Sequence, residues 1–460
     1  MKKGRSSFSG KIGFVMAAAG SAVGLGNIWR FPYLAAKDHG GIFLLCYIAL
    51  AFTFGFTLLA TEIAIGRITR LSPLSAYGKL DSRWRGVGVL ACLVPALILP
   101  YYCVIGGWVM KYVSLYALGQ GKIAAHSDYF SSYLTQEFQP IVWLLIFLAF
   151  TMWIVFRGVD HGIEKYSRIL MPILLVIVVG ISVYSLFIKH TDSMGITRSG
   201  IEGVRMYVVP DFTGITFRGF LEIMTDAMGQ LFFSISVSMG IMITYGSYVK
   251  KDINLLHAIN QIEIFDTVVA FLAGLMVIPS VYTFMGNEGM TVGPGLMFVS
   301  LPKVFYAMGS VGGILGLTFF VMVIFAALTS AVSMTEAVVA SFMDYFSISR
   351  KKSTLFVALY TGIVGILVCM GYNILYFDLK LPNGTYGQLL DVLDYIGNYV
   401  LMPLIALLTC ILVGWIKKPQ IILDEIAGSE TKFRRRGLYV VMVKYIVPAL
   451  LIILMLQSLI

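Results

Sequence analysis

Residues 20–32 read GSAVGLGNIWRFP and lie inside an otherwise apolar run from about residue 12 to 36. The two central glycines weaken a helix, Asn27 and Arg30 are polar at the depth of a bilayer, and Pro32 removes a backbone hydrogen-bond donor. Lipid offers no hydrogen bonds, so backbone released from a membrane helix must line a protein-walled cavity or hold a bound group. The stretch therefore predicts a binding site within the membrane.

The composition identifies the class of protein. Of the 460 residues, 58% are apolar and 13% are charged, with a mean hydropathy of +0.86, which excludes a soluble globular protein. Segments of the roughly 20 residues needed to cross a bilayer occur at about 12–36, 41–66, 88–117, 141–157, 166–187, 219–248, 257–282, 311–343, 353–375, 391–415 and 438–459. None shows the two-residue alternation of a membrane barrel. The predicted fold is an all-α membrane protein with eleven transmembrane helices.

The placement of the basic residues predicts the orientation. The net charge is +10, but the Lys and Arg residues are concentrated in alternate loops, at about 67–85, 157–168, 250–251, 350–352 and 417–436, and before the first span. Such loops face the cytoplasm. We therefore predict a cytoplasmic N-terminus and an outside C-terminus, and the charge gives no reason to expect a nucleic-acid partner.

A second interrupted span supports the first. Residues 230–240 read QLFFSISVSMG, with serines at alternate positions and a glycine at the end, in the middle of the sixth span. Spans 1 and 6 hold corresponding places in two five-span halves, about 12–187 and 219–415, and an odd number of spans inverts the second half. Paired broken helices in an inverted repeat indicate a transporter site at the midplane. Small residues that only pack helices are the alternative. The whole chain, 1–460, is predicted to be one domain with an extra helix at about 438–459.

These motifs resemble the neurotransmitter:sodium symporter family, in its bacterial amino-acid branch. The resemblance rests on residues 22–32, on FFSIS at 232–236, on Tyr101 and Tyr102, and on AALTS at 326–330. It implies a sodium-coupled symporter that takes up an amino acid by alternating access across a bacterial inner membrane. It also implies two sodium ions, no organic cofactor, and no obligatory partner besides the substrate and the lipid bilayer.

The resemblance assigns two sodium sites. Sodium is a hard cation that prefers carbonyl, amide and hydroxyl oxygens. The first site would use the Ala22 carbonyl, the side chains of Asn27 and Ser234, a residue of span 7 and the substrate carboxylate. The second would use the carbonyls of Gly20, Val23 and Ala326 and the hydroxyls of Thr329 and Ser330. Helix packing alone remains an alternative for the last two residues.

Span 7 departs from the family pattern. Aligned on Gly274, Asp266 falls where the family usually has asparagine, and Ala270 replaces the serine that completes the anion site of chloride-dependent relatives. We infer that Asp266 supplies the negative charge that chloride supplies elsewhere, which predicts chloride independence. A secondary hypothesis is that Asp266 takes up a proton when sodium is absent, so that protons are counter-transported.

Gly24 predicts the class of substrate. Amine-transporting relatives have an aspartate at this position, whereas glycine leaves room for the carboxylate of a zwitterionic amino acid. By similarity, the substrate contacts are Ala22, Gly24, Leu25, Gly26, Ile98, Tyr102, Phe233, Ser234, Ser236, Met239, Ser330 and Met334. The apolar and methionine side chains among them favour a hydrophobic or aromatic amino acid. Taken alone, each of these residues is more often a packing residue, and only their joint match favours a binding pocket.

Alternating access requires gates on both sides. We expect Arg30 and Asp394 to pair at the outer gate, above a lid formed by Tyr102 and Phe233. The inner gate would pair Arg5 with Asp344 beside Tyr248. Glu62 and Glu336 are read as polar links between helices.

Two other classes of protein remain as alternatives. A membrane enzyme would need converging nucleophiles or metal ligands, but the five histidines are scattered along the chain. A non-transporting amino-acid sensor of the same fold would be expected to carry long regulatory tails. Accumulation of substrate inside vesicles distinguishes a transporter from such a sensor.

Overall fold

The computed structural model describes residues 7–192, 195–290, 294–382, 384, 386–428 and 433–457. Arg5 lies outside these residues. Helices account for most of the described chain. Their bounds are α1 Lys11–Ala22, α2 Phe31–Lys37, α3 Gly41–Leu50, α4 Phe56–Thr69, α5 Pro73–Leu80, α6 Arg85–Ala117, α7 Gly121–Ala124, α8 Tyr129–Leu134, α9 Gln139–Phe156, α10 Lys165–Phe187, α11 Gly200–Val208, α12 Phe217–Ser234, α13 Ile241–Tyr248, α14 Leu255–Met285, α15 Leu301–Ala307, α16 Ser310–Phe346, α17 Arg350–Met370, α18 Leu389–Asp394, α19 Met402–Ile411, α20 Gln420–Ala427, α21 Arg436–Val441 and α22 Val447–Gln457.

Several consecutive helices are joined by short π-helical or 3₁₀ turns, so that they run on as single rods. Counting joined rods and single helices together, nine in the described ranges are long and apolar enough to cross a membrane. The bent pair α1 and α2 makes ten. The all-α membrane fold predicted from the sequence is therefore confirmed. The predicted sixth span, α12 with α13, is interrupted, and its first half carries Arg218, Glu222 and Asp226, so the count of eleven stays a prediction.

The first predicted break lies where the glycines are. Helix α1 ends at Ala22, and Val23 then leaves the helical region with φ −74° and ψ 92°. A π-helical turn, Gly26–Arg30, leads into α2. The axes on the two sides of the break differ by 54°. Backbone groups around residues 23–25 are thus released from regular helical pairing in the interior of the protein.

The second predicted break lies between α12 and α13. Ser236, Ser238 and Gly240 have φ values of 53°, 62° and 67°. Left-handed backbone is easy for glycine, but it costs on the order of 1 kcal/mol or more at each serine. Such strain persists only where the surrounding structure demands it, which argues against simple helix packing as the role of this segment.

Close helix contacts hold the two breaks against each other. The Ser236 hydroxyl donates to the Ser21 carbonyl at 2.9 Å, and the Gln230 amide donates to the Gly26 carbonyl at 3.2 Å. Helix α13 packs closely against α4 at Gly66. A Cβ added at this glycine would stand 2.0 Å from the Ile243 carbonyl oxygen, so only glycine allows the two backbones to approach this closely. The tertiary fold thus places both unwound segments in one buried region.

The connections contain more regular structure than the sequence indicates. Two antiparallel pairs form, β1 Lys189–Thr191 with β2 Thr197–Ser199 and β3 Leu379–Lys380 with β4 Tyr386–Gly387. Helix α11 begins with a capping box in which Ser199 and Glu202 each accept the other's backbone N–H. The connections between the long helices therefore include short helices and strand pairs of their own.

Candidate functional site

A small buried pocket lies between the two helix breaks. Its volume is about 20 Å³, enough for roughly one water molecule. It is lined by Ser21, Ala22, Gly24, Leu25, Gly26, Asn27, Ile98, Tyr102, Phe233, Ser234, Ser236, Met239, Ile241, Ser330 and Met334. The structure thus brings together every residue predicted to contact substrate, although contact with a substrate stays a prediction. Ser21 and Ile241 are lining residues that the sequence did not indicate.

The pocket must widen to hold an amino acid. Phe233 closes the side toward Gly26, where an added Cβ would lie 2.6 Å from its ring. Met239 and Met334 form part of the apolar wall and are flexible, unbranched side chains. Rotation of the Phe233 ring and of the two methionine side chains would widen the pocket.

One end of the pocket is polar and suited to a carboxylate. The Leu25 N–H donates to the Tyr102 hydroxyl at 3.3 Å, and the Gly24 N–H donates to the Asn27 side-chain oxygen at 3.3 Å. A Cβ at Gly24 would lie 3.0 Å from Ser330 Oγ and 3.2 Å from the Tyr102 hydroxyl. Backbone N–H groups at the start of a half-helix favour negative charge.

Asp266 lies in a buried cluster of oxygens beside that end. Its Oδ1 accepts from Asn27 Nδ2 at 3.0 Å and from Ser234 Oγ at 2.8 Å, while Oδ2 accepts from the Tyr47 hydroxyl at 3.4 Å. Ser234 Oγ is also 3.2 Å from the Asn27 side-chain oxygen. Asp266 is only 1% exposed and forms no ion pair within the described residues. A buried carboxylate without a cationic partner is costly, so the cluster is suited to a bound cation.

The residues predicted for the second sodium site also lie together. Thr329 Oγ1 donates to the Phe325 carbonyl at 2.9 Å and to the Ala326 carbonyl at 3.1 Å. Ser330 Oγ donates to the Ser21 carbonyl at 3.1 Å and is 3.5 Å from that of Gly20. Val23 stands at the end of α1 next to this group. The second sodium site stays a prediction, because the same hydrogen bonds would serve helix packing alone.

The outer gate differs from the prediction. A cavity of about 500 Å³ lies outside the pocket, and both Arg30 and Asp394 line it. They do not form an ion pair in this structure. The Arg30 guanidinium instead lies 5.7 Å from the centre of the Phe233 ring and 5.8 Å from that of Tyr399. Asp394 accepts instead from two neutral donors, the Tyr101 hydroxyl and the Asn398 amide.

Two further polar residues complete the acidic side of this cavity. Asp394 Oδ1 accepts from the Tyr101 hydroxyl at 2.8 Å and from Asn398 Nδ2 at 2.6 Å. Tyr102 and Phe233 lie between the cavity and the pocket, since both line the two spaces. Asn398 was not singled out from the sequence, although it lies one helical turn after Asp394; only its contact with the Tyr101 hydroxyl, at 3.3 Å, depends on the packing of α6.

The inner gate is only partly described. Arg5 lies outside the described residues, so its pairing with Asp344 stays a prediction; Asp344 accepts the Ser72 N–H at 2.7 Å. Tyr248 is directed to another acid, donating to Glu336 at 2.6 Å. Arg350, not indicated by the sequence, binds both oxygens of Glu336 at 2.6 and 2.8 Å. Glu336 thus links α13, α16 and α17, which agrees with its reading as a polar link.

A charged group at the outer end of α2 predicts a dependence of stability on pH. Lys37 Nζ lies 2.6 Å from Asp226 and 3.6 Å from Asp38. Burial, and then the nearby charge of Asp226, raises the pKa of Asp38 to about 7. Because its pKa in the unfolded chain is about 4, the folded state holds this proton longer, and ionisation works against folding.

We therefore expect the stability contributed by Asp38 to be complete below about pH 4 and to be lost as the pH rises toward 7. Melting temperatures of the purified protein and of Asp38→Asn, measured across this range, check it. As the pH rises, the melting temperature of Asp38→Asn should increase relative to that of the wild-type protein. Parallel curves for the two proteins would contradict the assignment.

Comparison with known proteins identifies the family. Residues 5–120 and 128–460 match the model of the sodium:neurotransmitter symporter family. The chain belongs to this family. The resemblance inferred from the sequence is therefore confirmed, and the chain is a member of a family of transporters rather than of enzymes.

Relatives match most of the length of this chain. An uncharacterised sodium-dependent transporter of Bacillus subtilis is 34% identical over 98% of this chain and 97% of its own. The sodium- and chloride-dependent taurine transporter of Homo sapiens is 27% identical over 90% of this chain and 71% of its own. The crystal structure of MhsT in complex with L-phenylalanine is similar with a TM-score of 0.85 and 32% identity, covering 99% of this chain and 100% of that one.

Proposed function

We propose that this symporter takes up amino acids by coupling their entry to sodium, and that its substrates are hydrophobic or aromatic. The observation that carries the proposal is the buried Asp266 cluster with Asn27 and Ser234, which directly adjoins a pocket with a polar end and an apolar wall. A cation at the cluster would neutralise Asp266 and attract the carboxylate of a substrate at the polar end. Binding of the two would thus be mutually favourable.

The composition of the pocket supports the substrate class. Ile98, Met239, Ile241 and Met334 supply apolar surface, and Phe233 supplies an aromatic ring. The phenylalanine bound to MhsT is a substrate of the kind that such a wall would accept. None of the described residues that line the pocket has a basic or acidic side chain, so a charged substrate side chain would meet no counter-charge among them.

The proposal includes independence from chloride, two sodium ions and location in a bacterial inner membrane with the N-terminus inside. Ala270 removes the hydroxyl of the usual anion site, while Asp266 provides a fixed negative charge close to Ser234 and Tyr47. The basic loops support the orientation. One domain, comprising the two repeats and the final helix, is the arrangement we propose for the whole chain.

Uptake into proteoliposomes tests the proposal. Labelled phenylalanine should accumulate only under an inward sodium gradient, equally with chloride or gluconate as the anion, and competition by the twenty amino acids should rank the hydrophobic and aromatic ones first. Binding without accumulation would favour a sensor. Equal accumulation from potassium and sodium media would contradict sodium coupling.

Tyr102→Phe is expected to weaken substrate binding. The Tyr102 hydroxyl is within hydrogen-bond distance of the Leu25 N–H and, in our proposal, also donates to the substrate carboxylate. A hydrogen bond to a charged group contributes about 1.5–3 kcal/mol, so the KM for uptake should rise at least about tenfold. Tyr101→Phe, which loses a contact to Asp394 in the outer cavity, is the matched control and should change the KM less. Equal effects of the two variants would contradict a direct contact.

A further inference from the structure

A wide apolar groove opens where α6, α16 and α17 meet. Its volume is about 620 Å³, within the range of roughly 300–1,000 Å³ typical of small-molecule sites. Among its nine lining residues, Tyr360 alone has a polar side chain. The groove is separate from the transport pocket and the outer cavity, with which it shares no lining residue.

The groove is a concave seat rather than a flat helix face. Val338 and Val357 are each 2% exposed and form its floor, while Phe346 and Phe356 are 57% and 60% exposed and form its rim. Because these helices cross the membrane, the open side of the groove faces acyl chains. A chain seated between the two aromatic rings would contact protein on more than one side, unlike a chain that only touches a convex surface.

One end of the groove is positively charged on α17. Lys352, Phe356 and Tyr360 are four residues apart and so lie on one face of the helix. Lys352 is exposed and has no ion-pair partner in the described part of the chain. Its neighbours are engaged elsewhere, since Arg350 binds Glu336 and Lys351 lies 5.8 Å from the centre of the Phe156 ring.

The position of Lys352 on its helix favours a bound anion. It lies in the first turn of α17, where the helix dipole disfavours a cation and favours a negative charge. On the opposite wall, Arg85 begins α6 and is exposed, four and eight residues before Val89 and Leu93. Arg85 likewise has no ion-pair partner among the described residues. Helix register thus places Lys352 one turn before Phe356 and Arg85 two turns before Leu93, beyond the lining of the groove itself, and the Arg85 side chain passes over Gly78 of α5.

We propose that this groove binds an anionic phospholipid, with an acyl chain between Phe346 and Phe356 and its phosphate near Lys352 and Arg85. Charge complementarity favours this occupant over a zwitterionic lipid, because juxtamembrane basic residues attract anionic lipids. A lipid is favoured over a free phosphate because only a lipid has an acyl chain that can be buried against the apolar floor of the groove. The site goes beyond the proposed function, and it does not depend on the identity of the transported substrate.

Native mass spectrometry of the full-length protein in detergent tests the site. With phosphatidylglycerol and phosphatidylcholine added in equal amounts, wild-type protein should retain phosphatidylglycerol preferentially, and excess glycerol phosphate should not displace it. Each basic residue near a bilayer contributes about fivefold in affinity, so Lys352→Ala and Arg85→Ala should each lower phosphatidylglycerol retention by about that factor and leave phosphatidylcholine unchanged.

Two further variants make the test specific. Lys250→Ala removes an exposed lysine between α13 and α14 and should retain phosphatidylglycerol as wild type does. Ala96→Trp places a large ring in the groove and should reduce retention even with both cations present. Equal retention of the two lipids by wild type, or an equal loss in Lys250→Ala and Lys352→Ala, would overturn the proposal. If Ala96→Trp does not fold, the comparison of the two lysines decides.

Discussion

Asp266→Asn is expected to abolish sodium-driven uptake in chloride-free medium. The carboxylate is 1% exposed and meets only neutral donors, from Asn27, Ser234 and Tyr47. In our proposal it is the fixed countercharge of a buried sodium ion. Removing one partner of a buried ion pair costs roughly 3–5 kcal/mol, so the apparent sodium affinity should fall at least about a hundredfold. The sodium dependence of uptake into proteoliposomes, with gluconate as the anion, measures the effect.

Glu263→Gln provides the matched control, because it changes an acid to an amide three residues earlier on the same helix. Glu263 is paired with Arg435 at 3.1 Å, away from the pocket, so the apparent sodium affinity should be retained. Combining Asp266→Asn with Ala270→Ser should restore uptake only when chloride is present, since a hydroxyl is then available for the anion. Undiminished sodium affinity of Asp266→Asn without chloride would contradict the role of the carboxylate.

Gly24→Asp is expected to eliminate binding of zwitterionic amino acids. The added side chain enters the polar end of the pocket, where even a Cβ lies 3.0 Å from Ser330 Oγ and 3.2 Å from the Tyr102 hydroxyl. Its carboxylate would occupy the position proposed for that of the substrate, and two like charges about 4 Å apart repel by up to about 4 kcal/mol at an effective dielectric of 20. Binding of labelled phenylalanine should fall by more than about a hundredfold.

Gly24→Ala distinguishes the effect of the added charge on substrate binding from the effect of the added volume. It adds the same Cβ without a carboxylate, and overpacking of this kind costs about 1–3 kcal/mol, so a weaker loss is expected. In addition, Gly24→Asp should acquire affinity for phenethylamine, which has an ammonium group and no carboxylate, whereas Gly24→Ala should not. Equal loss in both variants, without binding of the amine, would mean that Gly24 provides space alone.

The gates show where inference from the sequence reaches its limit. Arg30 and Asp394 were both placed at the outer side, and both line the same cavity. Their expected pairing is absent because Arg30 packs against the rings of Phe233 and Tyr399, while Asp394 is satisfied by Tyr101 and Asn398. Pairing across a cavity depends on the conformation of the whole bundle, and residue order along the chain does not contain that distance.

The sequence by itself determined the membrane class, the approximate spans and the two places where helices break. It could do so because apolar length, glycine, proline and polar residues at bilayer depth act locally, within a few residues of the chain. Only the tertiary structure decided which oxygens of Asn27, Ser234 and Asp266 meet, that Ser21 accepts from both Ser236 and Ser330, and that Arg350 binds Glu336. These contacts join residues distant in sequence, and their distances are fixed by how the helices pack.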